Sequence, residues 1–464
     1  MTTPSSDLRF EMETRYVSQP HAYLLRNRTE TAMPEKVKGS VQTLLGQRLV
    51  ADPANAVDDW TPILTPDGET KWIKTSQLSD RQQLKVFYTD VGQGDATIIE
   101  AEGAIVIIDG GPNQGLHAEL AKRRNRRQAL DAIEGLTSTN VRINAVIISH
   151  FDKDHYAGIR YLLDDPTYSI DRLYHNGLPR YVNTAGKDLN LGTKTGPTGA
   201  EKISTDLTDI NSARQQLGSG DFITPKGNLN SFARFLDSAV KAHDAGRLGS
   251  IQRLFRRRLS EPPPTIPGLG SDVEIEILGP VPTSDSGPVR YPCFPNPRSG
   301  SDAASESHTV NGNSVVLRVL YGGTSFLFGG DLNQPAQKYL LGRYDSSDAF
   351  SADVNKACHH GSSDFHLAFV KAIKPHATVF SSGDAGSYDH PLPDAIGAAA
   401  KSSRRSFPLV FSTELAREGT RHLGHINARS NGTDLVMAQK KEKKSAKTQW
   451  HTFDVPYKGP FGSH

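Results

Sequence analysis

AVIISHFDKDHYAG, residues 145–158, is the stretch that decides the fold of this chain. Its apolar start, Ala145 to Ile148, has the length of a buried strand and runs directly into a polar turn. The strand delivers His150 to its end, and the turn presents Asp152, Asp154 and His155 in quick succession. Imidazoles and carboxylates gathered so closely suit zinc, manganese or iron. A charged turn that merely contains two His is the competing reading, and its place straight after an apolar strand argues against it.

Four more apolar segments finish in the same manner. AIVIIDGG ends on Asp109, FLFGGDL on Asp331, ACHHGSS on His359 and His360, and SSGDAGSYDHP brings His390 near a strand end. The glycines around Asp109 and Asp331 allow close backbone approach. Singly, each residue reads as an ordinary turn residue. Five strand ends carrying Asp or His predict one cluster along the edge of a sheet. Of His359 and His360, one is read as a ligand and the other as its support. Cys358 is read as a buried strand cysteine rather than a thiolate ligand.

The rest of the chain is that of a globular protein rich in loops. Among 464 residues, 41 Gly and 28 Pro accompany a hydrophobic fraction of 36%, which excludes fibrous and disordered classes. Two cysteines cannot make a disulfide framework, no apolar run reaches the ~20 residues of a membrane span, and the N-terminus lacks a signal-like core. A cytoplasmic location with no membrane partner is the expectation. Residues 1–80 predict a small β-rich unit with a hairpin turn at Asp67-Gly68 between strands bearing Trp60 and Trp72. Residues 81–437 form the main unit, with a helix over Leu116 to Ile133 and an insertion at about 176–270 that includes a helical stretch near Leu229 to Leu259. Residues 438–464 read as a C-terminal extension, a solvated hairpin or tail.

The order DVGQGD, IDGG, SHFDKDHYAG, NSVVL, GGD, HHGS and DHP resembles the metallo-β-lactamase superfamily, and more narrowly the catalytic domain of ComEC-type DNA-uptake proteins. The resemblance covers Leu84 to about Ala400 apart from the insertion. It implies an α/β (α+β) fold, a four-layer αββα sandwich with metals at one edge of the facing sheets. It also implies roles by position. His150, Asp152, Asp154 and His155 match the metal motif, Asp331 the bridging carboxylate, and His360 or His359 the last metal His. Asp109 matches a carboxylate that orients the site, Asp154 aims the nucleophile, and His390 matches a late His that meets substrate or metal. One or two divalent ions follow, zinc or manganese, since Asp152 stands where many members carry His. Residues 1–80 resemble bacterial Src-homology-3-like modules, which implies a small N-terminal β-barrel-like domain and a possible protein partner.

The implied activity is metal-dependent hydrolysis, of DNA or another phosphodiester. A small ester, lactone or nucleotide is the alternative substrate, and a catalytically weak scaffold the non-enzymatic reading. Two basic clusters bear on this: Arg123, Arg124, Arg126 and Arg127 in the first long helix, and Arg256, Arg257 and Arg258 further on. Such runs neutralise phosphates, or are simply the solvated face of a helix.

Overall fold

The computed structural model describes residues 12–137, 139–182, 190–383, 388–414, 424–440 and 450–455. Strands β1 (Glu13–Val17), β2 (Arg48–Ala51), β3 (Trp60–Leu64), β4 (Thr70–Lys74) and β5 (Leu78–Ser79) make a first sheet, ordered β4-β3-β2-β1-β5. Gly68 turns the β3–β4 hairpin at φ 80°, and Trp72 faces Pro62 across it. Val17, Leu49, Ile63 and Ile73 give this sheet its own small core.

The main body alternates strands and helices: β6 (Leu84–Tyr88), β7 (Ala96–Ala101), β8 (Ala104–Gly110), α1 (Gly115–Ile133), β9 (Val141–Ile143), β10 (Ala145–Ile147), α2 (Lys153–Tyr156), α3 (Ile159–Asp164) and β11 (Tyr168–His175). It continues with α4 (Ile210–Gly218), α5 (Ser231–Asp244), β12 (Leu248–Arg253), β13 (Val273–Gly279), α6 (Glu306–Gly312), β14 (Val316–Tyr321), β15 (Thr324–Phe328), α7 (Gln334–Arg343), β16 (Val354–Lys356), α8 (Leu367–Ile373), β17 (Ala377–Phe380), α9 (Pro393–Ser402) and β18 (Leu409–Ser412). Last come β19 (Ile426–Ser430), β20 (Leu435–Lys440) and β21 (Trp450–Val455).

Two large sheets result. One runs β9-β11-β10-β8-β7-β6-β19-β20-β21 with β12 added on β11; the other runs β13-β14-β15-β16-β17-β18. Alternation along the strands decides which layer each side chain joins. Val86, Tyr88, Val106 and Ile108 meet Ile277, Leu317, Val319 and Phe328 between the sheets. Phe87, Ile98, Ile107 and Val146 point outward onto α1, α3 and α5 through Leu116, Leu120, Leu162, Phe232 and Phe235. On the far side Leu278, Val316 and Leu327 are covered by Leu340 of α7 and Phe369 and Ile373 of α8. This is an α+β sandwich of four layers, helices outside and sheets within.

Part of the stretch read as an insertion is built into this body. The helical run from about 229 to 259 is a helix, α5, followed by a strand, β12, which pairs in parallel with β11 through Leu173 and Ile251. Within β12 the buried residues Leu248 and Ile251 stand three apart, so the segment lacks the period-2 alternation of a strand. The chain's last described strands, β20 and β21, extend the same large sheet as an antiparallel pair, so the C-terminal stretch is not a free tail. Residues 441–449 and 456–464, part of the predicted extension, lie outside the described residues.

A half-buried charge cluster ties α1 to the sheet. Lys85 and Glu100 are cross-strand neighbours on β6 and β7, paired at 2.6 Å, and Arg123 of α1 reaches the same carboxylate at 3.2 Å. Burial pushes the Glu100 carboxyl up, but the Lys85 ammonium and the Arg123 guanidinium outweigh it and hold it at about 2, against an ordinary 4.5. The folded form therefore binds this proton more weakly than the unfolded chain does. Its stabilising effect is present above pH 4.5 and is lost as pH falls towards 2, about 3 kcal/mol in all. Glu100→Gln should destabilise the protein by about 3–5 kcal/mol at pH 7. Urea denaturation at pH 7 and pH 3 should show the variant losing less stability on acidification than wild type.

Candidate metal centre

Parallel pairing aligns the carboxyl ends of β8 with β10, and of β15 with β16 and β17. The loops leaving these ends meet at one edge of the sandwich. A hydrogen bond from Val315 N to Ser149 O, 2.8 Å, ties the loop after β10 to the second sheet. Gly330, at φ 52°, lies where a Cβ would come within 2.8 Å of Ser149 Cβ and Ser314 Oγ, so a glycine is required there. Gly94, at φ 133°, plays the same part between β6 and β7, where a Cβ would sit 2.4 Å from the Asp154 carbonyl oxygen.

These close approaches bring Asp95, His155, Asp331 and His360 together, all buried, with ligand atoms within 4.8 Å of one another. His155 Nε2 and His360 Nε2 face each other at 3.3 Å. Each also lies 3.3 Å from an Asp331 oxygen, and His360 Nε2 lies 3.3 Å from Asp154 Oδ2. The other ring nitrogens are committed elsewhere. His155 Nδ1 meets Asp109 at 2.9 Å, and His360 Nδ1 meets Ser381 O at 3.0 Å and Asp95 Oδ1 at 3.3 Å. With Nδ1–H donating to these acceptors, both Nε2 lone pairs point inward.

Asp109, at φ 58°, faces away from that centre and accepts from Ser149 N and Ser149 Oγ, both at 2.7 Å, as well as from His155. Asp95 approaches His360 from its Nδ1 side and pairs with the buried Lys356. It orients that ring, while Asp154 and Asp331 meet Nε2. Asp95 was not singled out from the sequence, although DVGQGD was; its acid follows a glycine in a turn, and only the loop's close approach to Asp154 gives it meaning. Lys356, in VNKACHH, gave no signal, because a lysine at a strand end reads as solvated.

A second group of donors flanks the first. His150 Nε2 is fully buried without a hydrogen-bond partner, 3.8 Å from Asp152 Oδ2 and 4.0 Å from Asp331 Oδ2. Asp152 does not cap α2. Its Oδ1 lies 3.4 Å from Arg180 Nη2, and its Oδ2 takes a hydrogen bond of 3.1 Å from the Asn311 amide turned to donate. His359 stands further out, 4.0 Å from Asp331 Oδ2, and keeps about a quarter of its side chain exposed. His390 stacks on His360 at 6.3 Å and on Tyr388 at 5.6 Å. Cys358 faces Gly329 rather than the centre, and burial pushes its thiol up to about 12.

The electrostatics favour a cation. Burial opposes charge on His155 and His360, yet Asp331, with Asp109 behind His155 and Asp95 behind His360, pushes both pKa values well above the ordinary one. Burial raises Asp331, but the imidazoles hold it well below the carboxylate range. Two inward lone pairs, the unpaired His150 Nε2 and several carboxylate oxygens fit a divalent metal of the zinc or manganese type. His155, His360, Asp154 and Asp331 would hold one ion; His150, Asp152 and Asp331 offer a second, weaker position, since Arg180 and Asn311 already engage Asp152.

The basic residues are not gathered here. Arg123 serves Glu100, Arg124 donates to Thr167 Oγ1 at 2.7 Å, and Arg127 lies 3.8 Å from Asp131. Arg256 is buried on backbone oxygens of Leu259 and Glu261, Arg257 donates to Gly287 O, and Arg258 pairs with Glu261. Arg126 is exposed. Most of both clusters is thus engaged within the fold, and neither forms a bare basic stripe.

Residues 89–204 match the family described as the metallo-beta-lactamase superfamily. Over those residues the chain is similar to that superfamily. The matched span holds Asp95, Asp109 and the His150 to His155 run, while Asp331 and His360 lie beyond it. The chain is 39% identical over 82 residues to competence protein ComA of Neisseria gonorrhoeae, a match spanning 18% of this chain and 12% of that relative. Among solved structures it is similar to the metallo-beta-lactamase fold protein YhfI of Bacillus subtilis, with 10% identity, a TM-score of 0.33, and coverage of 75% of this chain and 100% of that one. A diphosphatase of the PhnP family gives 12% identity and a TM-score of 0.29, covering 71% and 94%.

Elemental analysis of purified protein should find at least one equivalent of a divalent transition metal. His155→Ala and Asp331→Asn should lose it, and His359→Ala should retain it. Asp95→Asn, which only loosens the His360 ring, should weaken metal affinity by ~10–100-fold rather than abolish binding.

Proposed function

We propose that the protein is a metal-dependent phosphodiesterase that cuts nucleic acid, DNA in the first instance. The observation that carries this reading is the buried pair of inward-facing Nε2 atoms of His155 and His360 around Asp331. The superfamily match and the short likeness to a competence protein support it. A divalent ion bound there would act as a Lewis acid and make water a nucleophile near neutral pH.

The chain's own residues supply the rest. Asp109 and the Ser381 carbonyl keep both imidazoles in the ligating tautomer. Asp154 lies against His360, placed to fix the direction from which the nucleophile approaches. Arg180, buried beside Asp152, adds a fixed positive charge where an anionic phosphate would develop charge. Burial and the neighbouring His360 and His359 bring His390 down to about 4, so near pH 7 it is a neutral imidazole. That form suits a hydrogen bond to a substrate oxygen better than delivery of a proton.

Cleavage of single- and double-stranded DNA should be measured with manganese, zinc and magnesium, beside a p-nitrophenyl carboxylic ester. Wild type should cut DNA with manganese or zinc, and Asp154→Ala should lose ~100-fold or more. Cleavage that survives in Asp154→Ala would sink the site assignment, and turnover of the ester alone would replace a phosphodiester by a carbonyl substrate. Arg180→Ala should lower kcat by ~10²-fold with metal content unchanged. Loss of metal in that variant would assign Arg180 to site assembly instead.

A further inference from the structure

On the outer face of α2, opposite Asp154 and His155, the structure has a cavity of about 200 Å³. Lys153, Arg160 and Arg234 line it together with Tyr161, Ser231 and Pro112, and none of its lining residues is a carboxylate. The concentration of charge is unusual for a chain whose formal net charge is only +2. The basic side chains lining so small a space give it a positive potential, which a bound anion would offset.

Two features of the fold reinforce the field. Ser231 and Arg234 belong to the first turn of α5, a helix of 14 residues, so its N-terminal dipole adds to the cations. Arg160 pairs with Asp164 at 3.3 Å, which holds its guanidinium on the cavity's side of α3 without placing an acid in the lining. Arg234 is exposed and bonds weakly to Ser231 Oγ at 3.4 Å, leaving most of its donors for a ligand.

Lys153 stands between the metal-centre residues Asp152 and Asp154, so one helix separates the cavity from the centre. A helix with its side chains is about 10–12 Å across, a span that a strand leaving the metal centre crosses within a few nucleotides. We propose that this cavity is a phosphate-binding subsite for a backbone phosphate a few nucleotides from the bond that is cut. The proposal rests on reading the metal centre as a phosphodiesterase, and it adds the exit direction of the strand across α2 and α5.

Binding can be tested apart from cleavage. The EDTA-treated full chain would be titrated with a fluorescein-labelled single-stranded 12-mer by anisotropy, over a range of salt, with inorganic phosphate as competitor. The Arg160→Ala/Arg234→Ala double variant should bind the 12-mer about tenfold more weakly. Its log Kd against log salt should be shallower by about 1.4, two contacts at ~0.7 each. Arg160→Lys/Arg234→Lys, which keeps the charges, should lie close to wild type, and thermal melting should show all three chains folded. Arg234→Gln alone gives a mild second test if the double alanine variant unfolds, with an expected two- to fourfold loss. Unchanged affinity and salt slope in a folded variant would overturn the subsite. So would phosphate binding that needs these arginines while 12-mer binding does not, since the cavity would then take free phosphate only. Loss of 12-mer binding in a chain that cuts no phosphodiester would retain the subsite and remove the phosphodiesterase reading.

Discussion

The Asp331 carboxylate, buried at the seam where the loops of both sheets meet, is the charge around which this end of the molecule is organised. An isolated carboxylate at that depth would cost several kcal/mol, so positive partners must be held close. His155 arrives from the large sheet that holds β10 and His360 from the one that holds β16, each at 3.3 Å. Neither could stay in place without the apolar layer between the sheets, where Val86 and Ile108 meet Ile277 and Phe328. The stability of the sandwich and the geometry of its edge are therefore one problem.

Some of the molecule's backbone strain lies at the same edge. Asp109, His359, His360 and Asp389 all adopt positive φ, a conformation costly for residues with a side chain. Each lies within or beside a loop that carries a site residue, and Asp109 and His360 are followed directly by the closely packed Gly110 and Gly361. The hydrogen-bond partners behind the ligands, Asp109 on His155 and Asp95 with Lys356 on His360, keep the rings from relaxing. A centre preorganised in this way loses little entropy when it takes up a cation.

Charge elsewhere in the chain is spent on architecture. The arginines of α1 that resemble a nucleic-acid stripe in one dimension bind Glu100, Glu119 and Thr167. Arg48 crosses from the first sheet to Glu134 at the end of α1, 2.9 Å away, and joins the N-terminal unit to the main body. The cations that line the cavity, Lys153, Arg160 and Arg234, come from three separate helices and make no run in the sequence.

Local chemistry sufficed for much of this protein. The helix over Leu116 to Ile133, the Asp67-Gly68 hairpin and the strand ends bearing His150, Asp154, His155, Asp331 and His360 follow from periodicity, turn residues and short-range motifs, and the sandwich from the family resemblance that those motifs carry. What needed the tertiary structure involves groups far apart along the chain. Periodicity cannot show that His360 rather than His359 faces Asp331, because two adjacent residues differ only in where the folded loop turns them. Nor can it show that Arg180 and Asn311 hold Asp152, that Asp95 stands behind His360, or that β12 completes the sheet. These pairings arise only once the apolar layers have closed, since burial then forces each polar group to find a partner within a few ångströms, whatever its distance in sequence.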